Sequence, residues 1–171
     1  MTMAAAALLA AGVARGATYS TAGLTPLEDK VRHELVMLPY YNVFDNMTFK
    51  VDGRVVTLMG QVTRPTLKSD AERVVKRIEG VEKVDNQIEV LPLSPFDDRL
   101  RIAVYRAVYG QSAMLQYAIQ PVAPIRIVVK NGNVTLEGVV ANEMAKNIAG
   151  IRANGVSGVF SVDNRILVAQ K

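Results

Sequence analysis

Hydrophobic residues in the first half of the chain follow a helical period, then a strand period, and then both again. An amphipathic helix opens at Thr25-Pro26, with apolar residues spaced along one face. Alternating hydrophobic and polar residues then predict two strands, over 47–51 and 56–62, joined by the hairpin signal Asp52-Gly53. A second helix and a third strand follow, the strand ending near Val90. The pattern predicts an α-β-β-α-β unit.

Two sequence blocks of this unit occur a second time. The block VTLMGQV at Val56–Val62 returns as VTLEGVV at Val134–Val140, 78 positions later. The block GVEKVDNQI at Gly80–Ile88 returns as GVFSVDNRI at Gly158–Ile166, also 78 positions later. A constant separation between two blocks indicates a duplicated structural unit rather than one larger domain.

The first helix also recurs, but at a shorter distance. Pro26–Leu35 matches Pro95–Val104, 69 positions later, so nine residues are inserted in unit 2 within 109–124. We predict an α+β fold of two tandem α-β-β-α-β units, 24–91 and 95–169. Each is expected to be a three-stranded mixed sheet covered on one face by two helices. A right-handed crossover makes strands two and three parallel, and units of this size are expected to pack against each other.

Four glycines recur at matching places in the two units. Gly60 and Gly138 lie inside the second strand, where glycine lets a neighbouring strand or helix approach the backbone, or marks a bulge. Gly80 and Gly158 precede the third strand, and we expect them to be the C-caps of the second helices. All four are therefore interpreted as structural residues.

An asparagine recurs in the third strand of each unit, as Asn86 and Asn164. Asn86 is in phase with Val84 and Ile88, on the inward face of the strand. Because a buried amide needs hydrogen-bond partners, we expect the asparagine to bond the backbone of a nearby loop.

Residues 1–23 differ in composition from both units. The apolar run Ala4–Ala14 and the small residues after it resemble the end of a secretory signal, with Ala14-Arg15-Gly16 as a cleavage site. The run is too short to span a bilayer, which takes about 20 apolar residues. We expect a periplasmic or exported protein; the alternative is a disordered Ala-rich tail.

Composition and candidate chemistry argue against catalysis. There is no cysteine, and the single histidine, His33, has no partner at the spacing of a metal site or a hydrolytic dyad. The paired acids Glu28-Asp29 and Asp97-Asp98 lie at helix starts, where negative charge is favourable, and we prefer that role to acid–base catalysis. Without a nucleophile motif or phosphate loop, we predict a non-enzymatic protein that uses no cofactor and no metal.

The basic surface allows more than one kind of partner. The net charge is +4 and the pI is 9.4, which suits anionic lipid, nucleic acid or no charged partner. Gly155–Gly158 forms a G-x-x-G string as in the RNA-binding KH module. Unit 1 lacks the string, and in unit 2 it precedes a strand, whereas KH needs it between helices. Nucleic acid is therefore not the expected partner.

The duplicated unit resembles the BON domain, bacterial OsmY and nodulation. The likeness rests on the α-β-β-α-β order, the glycine inside the second strand and the glycine before the third. It covers about 27–168, and the tandem arrangement behind an export signal is similar to dual-BON envelope proteins of bacteria. The resemblance implies a non-enzymatic module of the periplasm or outer envelope that binds phospholipid or other envelope components, and it supplies no catalytic residues.

The sharpest difference between the two copies lies in the second helix. Met144, Ile148 and Ile151 stand where unit 1 has a threonine, an aspartate and an arginine, so one stripe of the helix changes from polar to apolar. Lys146 and Arg152 flank it. The stripe either packs on unit 1, or becomes core in a rotated helix, or is exposed and enters a lipid interface.

The resulting hypothesis is association with phospholipid or a membrane surface, in envelope maintenance or stress, through this stripe. The alternative is a periplasmic protein–protein adaptor, in which the stripe or the 109–124 insertion docks an envelope protein. An RNA-binding KH-like module is the third interpretation.

Overall fold

The computed structural model describes residues 6–7 and 25–169. The proposed cleavage site Ala14-Arg15-Gly16 lies outside the described residues. A two-residue strand, β1 (Ala6–Ala7), is the described part of the N-terminal segment. Unit 1 then contains two helices and four strands: α1 (Pro26–Val36), β2 (Asn46–Asp52), β3 (Val55–Val62), α2 (Pro65–Val75), β4 (Lys83–Asn86) and β5 (Glu89–Val90).

Unit 2 repeats this order with one addition, a 3₁₀ turn and a short helix after its first helix. Its elements are α3 (Pro95–Tyr109), the 3₁₀ turn Ser112–Met114, α4 (Leu115–Ala118), β6 (Ile125–Lys130), β7 (Asn133–Val140), α5 (Glu143–Asn154), β8 (Ser161–Asn164) and β9 (Leu167–Val168).

Each unit forms its own mixed sheet. In unit 1, β2 and β3 are antiparallel, β4 and β5 both run parallel to β3, and β1 (Ala6–Ala7) pairs antiparallel with β2. In unit 2, β6 and β7 are antiparallel, and β8 and β9 run parallel to β7. The two long helices of each unit cover one face of its sheet and close a separate hydrophobic core. The α+β fold of two tandem units is thereby confirmed.

The third strand of each unit is interrupted by the recurring asparagine. Asn86 Nδ2 donates to the carbonyl of Lys68 in α2 at 2.9 Å, and its Oδ1 accepts from the N–H of Ile88 at 3.2 Å. Asn164 makes the same two bonds, to the carbonyl of Lys146 and from the N–H of Ile166, at 2.9 and 3.3 Å. The amide thus ties a helix carbonyl to the backbone of the short non-strand stretch that follows the asparagine, so the expected bond to loop backbone is joined by one to a helix.

The glycines before the third strands are not helix caps. α2 ends at Val75 with Lys76 as its C-cap, and the C-cap of α5 is Gly155. Gly80 and Gly158 have φ of 100° and 91° and stand third in four-residue turns closed by Val81 N–H to Ile78 and Val159 N–H to Val156. A type II turn needs positive φ at its third residue, so the chain makes a separate turn between helix and strand.

The first hairpin is also displaced by one residue from the expected position. Asp52 pairs with Val55, so the turn is Gly53-Arg54 rather than Asp52-Gly53. Only Gly53 of that pair has positive φ, as in a type II′ turn. In unit 2 both Asn131 and Gly132 have positive φ, which is the type I′ turn expected of Asn-Gly.

The insertion in unit 2 is part of the core. Tyr109, Met114 and Tyr117 are buried. The Tyr109 hydroxyl donates to the carbonyl of Ile125 at 2.7 Å and accepts from its N–H at 3.1 Å. The Tyr117 hydroxyl accepts from the N–H of Ala141 at 2.9 Å. These bonds hold the insertion against the first residue of β6 and the residue that follows β7, at the open end of the hairpin.

The two units are joined by backbone as well as side-chain contacts. The carbonyl of Val43, just before β2, accepts from the N–H of Ile127 at 2.9 Å, so unit 1 pairs with the outer edge of β6. Val43 and Phe44 pack against the core of unit 2. Because a free sheet edge is costly to leave unpaired, this contact fixes how the units sit together.

The glycine inside each second strand lets a carbonyl at the start of the neighbouring first strand lie directly against its backbone. Gly60 has φ of 108° and Gly138 has φ of 135°. A Cβ at Gly60 would lie 2.1 Å from the carbonyl oxygen of Asn46, and one at Gly138 would lie 1.9 Å from that of Pro124. A side chain at either position requires the paired strand to move.

We expect Gly138→Ala to lower the free energy of unfolding by at least about 3 kcal/mol, from backbone strain together with displacement of β6. Gly53→Ala is the matched control, because Gly53 also has positive φ but has nothing within 4 Å of an added Cβ. That control should cost only about 1–2 kcal/mol. Urea unfolding of both variants measures the difference. Equal losses of unfolding free energy in the two variants would show that glycine is required at position 138 only for its positive φ, and not for the close approach of the Pro124 carbonyl.

Candidate functional surface

Helix α5 presents the same face to the core as its counterpart in unit 1. Asn142 caps it, its Oδ1 accepting from the N–H of Ala145 at 2.9 Å. The core-facing residues of α2 are Leu67, Ala71 and Val75, and the residues of α5 at the same places are Ala145, Ala149 and Ala153. The helix has therefore kept its rotation, and α5 packs on α3 and on the sheet of unit 2.

The apolar stripe of α5 is divided between the core and the surface. Met144 and Ile151 are 67% and 70% exposed, whereas Ile148 is half-buried against the core of unit 2. Lys146 is half-buried and Arg152 is exposed. The structure therefore leaves two apolar side chains of the stripe on the surface. Of the two flanking cations, Arg152 is exposed to solvent and Lys146 is partly covered.

The core face of α5 is smaller than that of α2. Three alanines replace the larger set in α2, and Gly150 stands where an added Cβ would be 2.6 Å from Nδ2 of Asn164. The half-buried Ile148 supplies apolar volume that the alanines lack. Packing against the core thus explains why residue 148 is apolar. It does not explain Met144 and Ile151, whose side chains are exposed.

A second apolar cluster lies where the chain leaves α5. The rings of Phe96 and Phe160 are 6.2 Å apart, and Phe160 is 75% exposed. Phe160 lies over Gly132, where a Cβ would be 2.5 Å from its ring. The residues of unit 1 at the places of Gly132 and Phe160 are Arg54 and Glu82, which form an exposed ion pair at 2.6 Å. Comparing the copies 78 residues apart would have identified Phe160 in the sequence, but not Phe96, whose counterpart is Leu27.

The insertion adds exposed apolar residues near the other end of α5. The bond from the N–H of Ala141 to the Tyr117 hydroxyl places α4 beside the start of α5. Leu115 and Ile119 project from this short helix into solvent. They lie one helical turn apart, so they share a face.

A groove of about 350 Å³ lies between the units. The Arg126 guanidinium stacks over the Tyr41 ring at 4.4 Å, and its Nη1 donates to the carbonyl of Asn42 at 2.9 Å. Burial raises the pKa of the Tyr41 phenol, which the Arg126 cation opposes. The ring of Phe44 meets that of Tyr105 edge-on at 6.2 Å.

A second, polar cleft of similar size lies on the open face of the second sheet. Gln61 of unit 1 borders it, together with Thr135, Glu137 and Arg165 of unit 2. Burial raises the pKa of the Glu137 carboxyl, and the Arg165 guanidinium, 3.4 Å away, opposes that shift. Arg165 is also held by Asp163, and Lys130 of the same cleft pairs with Glu89 of unit 1. Each charge of this cleft therefore has a partner of opposite sign.

The acids at the helix starts have structural partners. Glu28 Oε2 accepts from the N–H of Thr25 at 2.7 Å in a capping box. Asp97 is fully buried, and its two oxygens accept from the N–H groups of Asn131 and Gly132 at 2.8 and 2.9 Å. Asp97 therefore holds the β6–β7 turn in addition to its position in the first turn of α3.

The remaining candidate residues are not assembled into a site. His33 is exposed on α1. Within 6–7 and 25–169, no group of three or more His, Cys, Asp or Glu residues is placed to hold a metal ion. The string Gly155–Gly158 leads from α5 towards β8, whereas a KH loop lies between helices.

Comparison with known proteins identifies a family. The model of the BON domain family matches residues 24–92 and again 111–170. A search of curated proteins gives no match. None of the helices in the described part of the chain is long and apolar enough to cross a bilayer.

Two solved structures are similar over most of the chain. One is the C-terminal domain of CdsD, a structural protein of the type III secretion system of Chlamydia trachomatis; it is 14% identical, and the match covers 86% of this chain and 99% of that one, with a TM-score of 0.33. A second structure of CdsD is 16% identical, with 85% and 94% covered and a TM-score of 0.31. Structural overlap at these scores is partial.

The division of the stripe can be tested by stability. Ile148→Asp should lower the free energy of unfolding by about 1–3 kcal/mol, because it puts a carboxylate where a half-buried apolar side chain packs. Ile151→Asp is the matched change on the exposed side and should alter stability by no more than about 0.5 kcal/mol. Chemical denaturation measures both. A large loss in the Ile151 variant would mean that its side chain packs in the folded protein.

Proposed function

The chain belongs to the BON domain family, and we propose that it is a non-enzymatic, envelope-associated binding module that attaches to phospholipid surfaces through α5 of unit 2. Family membership supports an envelope-associated binding function. The lipid partner, the site and the periplasmic location behind a secretory signal are our proposals.

The observation that carries the proposal is the exposure of Met144 and Ile151 on a helix whose counterpart is polar. Unit 1 has Thr66 and Arg73 at these places, so the fold does not require apolar residues there. Large apolar side chains on a surface that the fold leaves free are typical of contacts with a partner or a membrane.

The binding free energy expected from these side chains is that of weak, reversible attachment to a lipid surface. Full burial of a Met or Ile side chain is worth about 1.5–3 kcal/mol. Lys146 and Arg152 would each add roughly 1 kcal/mol near anionic lipid. The two side chains are seven residues apart along α5, which is about 10 Å. Both can enter a membrane only if the helix lies along its surface.

A second candidate function is a protein–protein adaptor. It is favoured by Leu115 and Ile119, which the insertion exposes near the start of α5. A protein partner could cover these residues and Met144 together. This interpretation differs from the first in needing no lipid.

Vesicle sedimentation tests the proposal. The full chain should bind vesicles that contain anionic phosphatidylglycerol, and phosphatidylcholine vesicles more weakly. Met144→Thr with Ile151→Gln should lower the partition coefficient at least about tenfold, the equivalent of 1.4 kcal/mol. The changes leave the net charge and the half-buried Ile148 untouched.

The matched control is Met37→Thr with Leu93→Gln, which removes two exposed apolar side chains outside α5. It should bind vesicles as the unchanged protein does. Equal binding by both double variants, or no binding by the unchanged protein, contradicts the lipid proposal. Recovery of a protein from envelope extract by the unchanged chain, but not by Leu115→Gln with Ile119→Gln, would then favour the adaptor.

A further inference from the structure

The groove between the units contains a buried cation without a carboxylate partner. Arg126 is 6% exposed. Among the described residues no Asp or Glu oxygen lies within 4 Å of its guanidinium. One of its five N–H donors is engaged, by the carbonyl of Asn42. A buried charge is normally paired, because the cost of removing it from water is otherwise large.

The acid that could have served as its partner is already occupied. Asp45 is fully buried, and its Oδ1 accepts from the N–H and the hydroxyl of Thr63 at 2.7 and 2.8 Å. Its Oδ2 accepts from the N–H of Asn42 at 3.1 Å. Stacking on the Tyr41 ring offsets part of the cost for Arg126, but it does not supply a negative charge.

The walls of the groove are partly apolar and partly polar, and their apolar residues come from three places. Unit 1 contributes Tyr41 and Phe44 before β2, α3 contributes Ile102 and Tyr105, and the stretch after α4 contributes Val122. The groove therefore depends on both units and on the insertion in unit 2. Its volume, about 350 Å³, is at the lower end of the range for small-molecule sites.

We propose that this groove binds a single-chain amphiphile with a carboxylate head, the carboxylate lying on Arg126 and the chain between the aromatic walls. A guanidinium presents its donors in a planar fork that matches the two oxygens of a carboxylate. The small volume fits one short apolar chain rather than the two chains of a phospholipid. A medium-chain fatty acid has this chemistry.

This site is separate from the proposed lipid contact of α5. It needs a free amphiphile, and the contact on α5 needs a bilayer surface. Removing Met144 and Ile151 should leave binding in the groove unchanged, and groove variants should leave vesicle binding unchanged. The failure of one proposal is therefore distinguishable from the failure of the other.

The test is titration of the isotopically labelled full chain with octanoate, far below its micellar concentration and without vesicles. Amide shifts of the groove residues, followed by NMR, give the dissociation constant. Octan-1-ol has the same chain without the charge and should bind at least about tenfold more weakly, as should octanoate to Arg126→Gln. Arg165→Gln, which changes an arginine outside the groove, should bind octanoate as the unchanged protein does.

A second pair of variants keeps the test decisive if Arg126→Gln does not fold. Ile102→Glu places a carboxylate at the exposed rim of the groove and should weaken octanoate binding at least about tenfold by repulsion and lost apolar contact. Ile119→Glu adds the same charge at the exposed residue just after α4, which does not line the groove, and should have no effect.

Three results would overturn the proposal. One is equal affinity for octanoate and octan-1-ol, and another is shifts confined to α5. The third is failure of octanoate to bind while a short apolar peptide with a free C-terminal carboxylate does bind, which would assign the groove to a protein terminus.

Discussion

Each sheet depends on one close contact, between the carbonyl at the start of its first strand and the glycine inside its second strand. At 2.1 and 1.9 Å from the place of a Cβ, the oxygens of Asn46 and Pro124 leave room only for hydrogen. The contact sets the point at which the first strand joins the second, and hence the position of the loop before it. In unit 1 that loop is the segment that pairs with β6. The joining of the units and the groove between them therefore follow from a constraint within one sheet.

Much of the fold was predictable because it is imposed twice. Alternation placed the long strands, Asp52-Gly53 and Asn131-Gly132 marked the hairpins, and Asn86 with Asn164 marked a half-buried amide in each third strand. The errors lie where one residue type serves more than one purpose. Gly80 suits a helix cap and a type II turn equally, and only the end of α2 at Val75 distinguishes them. Asp52-Gly53 is a hairpin signal, but pairing of Asp52 with Val55 moves the turn by one residue.

The candidate surfaces were less predictable, for a physical reason. Periodicity identifies an apolar stripe but not which of its members the core takes. Three alanines in α5 leave space that Ile148 partly fills, so burial divides a stripe that the sequence presents as uniform. Phe160 was missed because it is not unusual alone; only the replacement of the Arg54–Glu82 ion pair by Gly132 and Phe160 makes it visible. Arg126 could not be found in this way, because its two direct contacts, the Tyr41 ring and the Asn42 carbonyl, come from about 85 positions earlier in the chain.

The differences between the copies fall into two groups with different consequences. Those at Met144, Ile151 and Phe160 change the exposed surface of unit 2, so they can alter what the unit contacts without altering how its core is built. Those in the insertion are built into the core through Tyr109, Met114 and Tyr117, and the same stretch of chain walls the groove over Arg126. A partner could therefore bind to α5 and dissociate from it with little effect on the stability of the folded unit. An occupant of the groove would touch both units and the insertion, and so would stabilise their arrangement by its binding energy. Unit 1 thus keeps the basic fold. Unit 2 keeps it as well, and adds both the exposed apolar residues of α5 and the insertion that walls the groove.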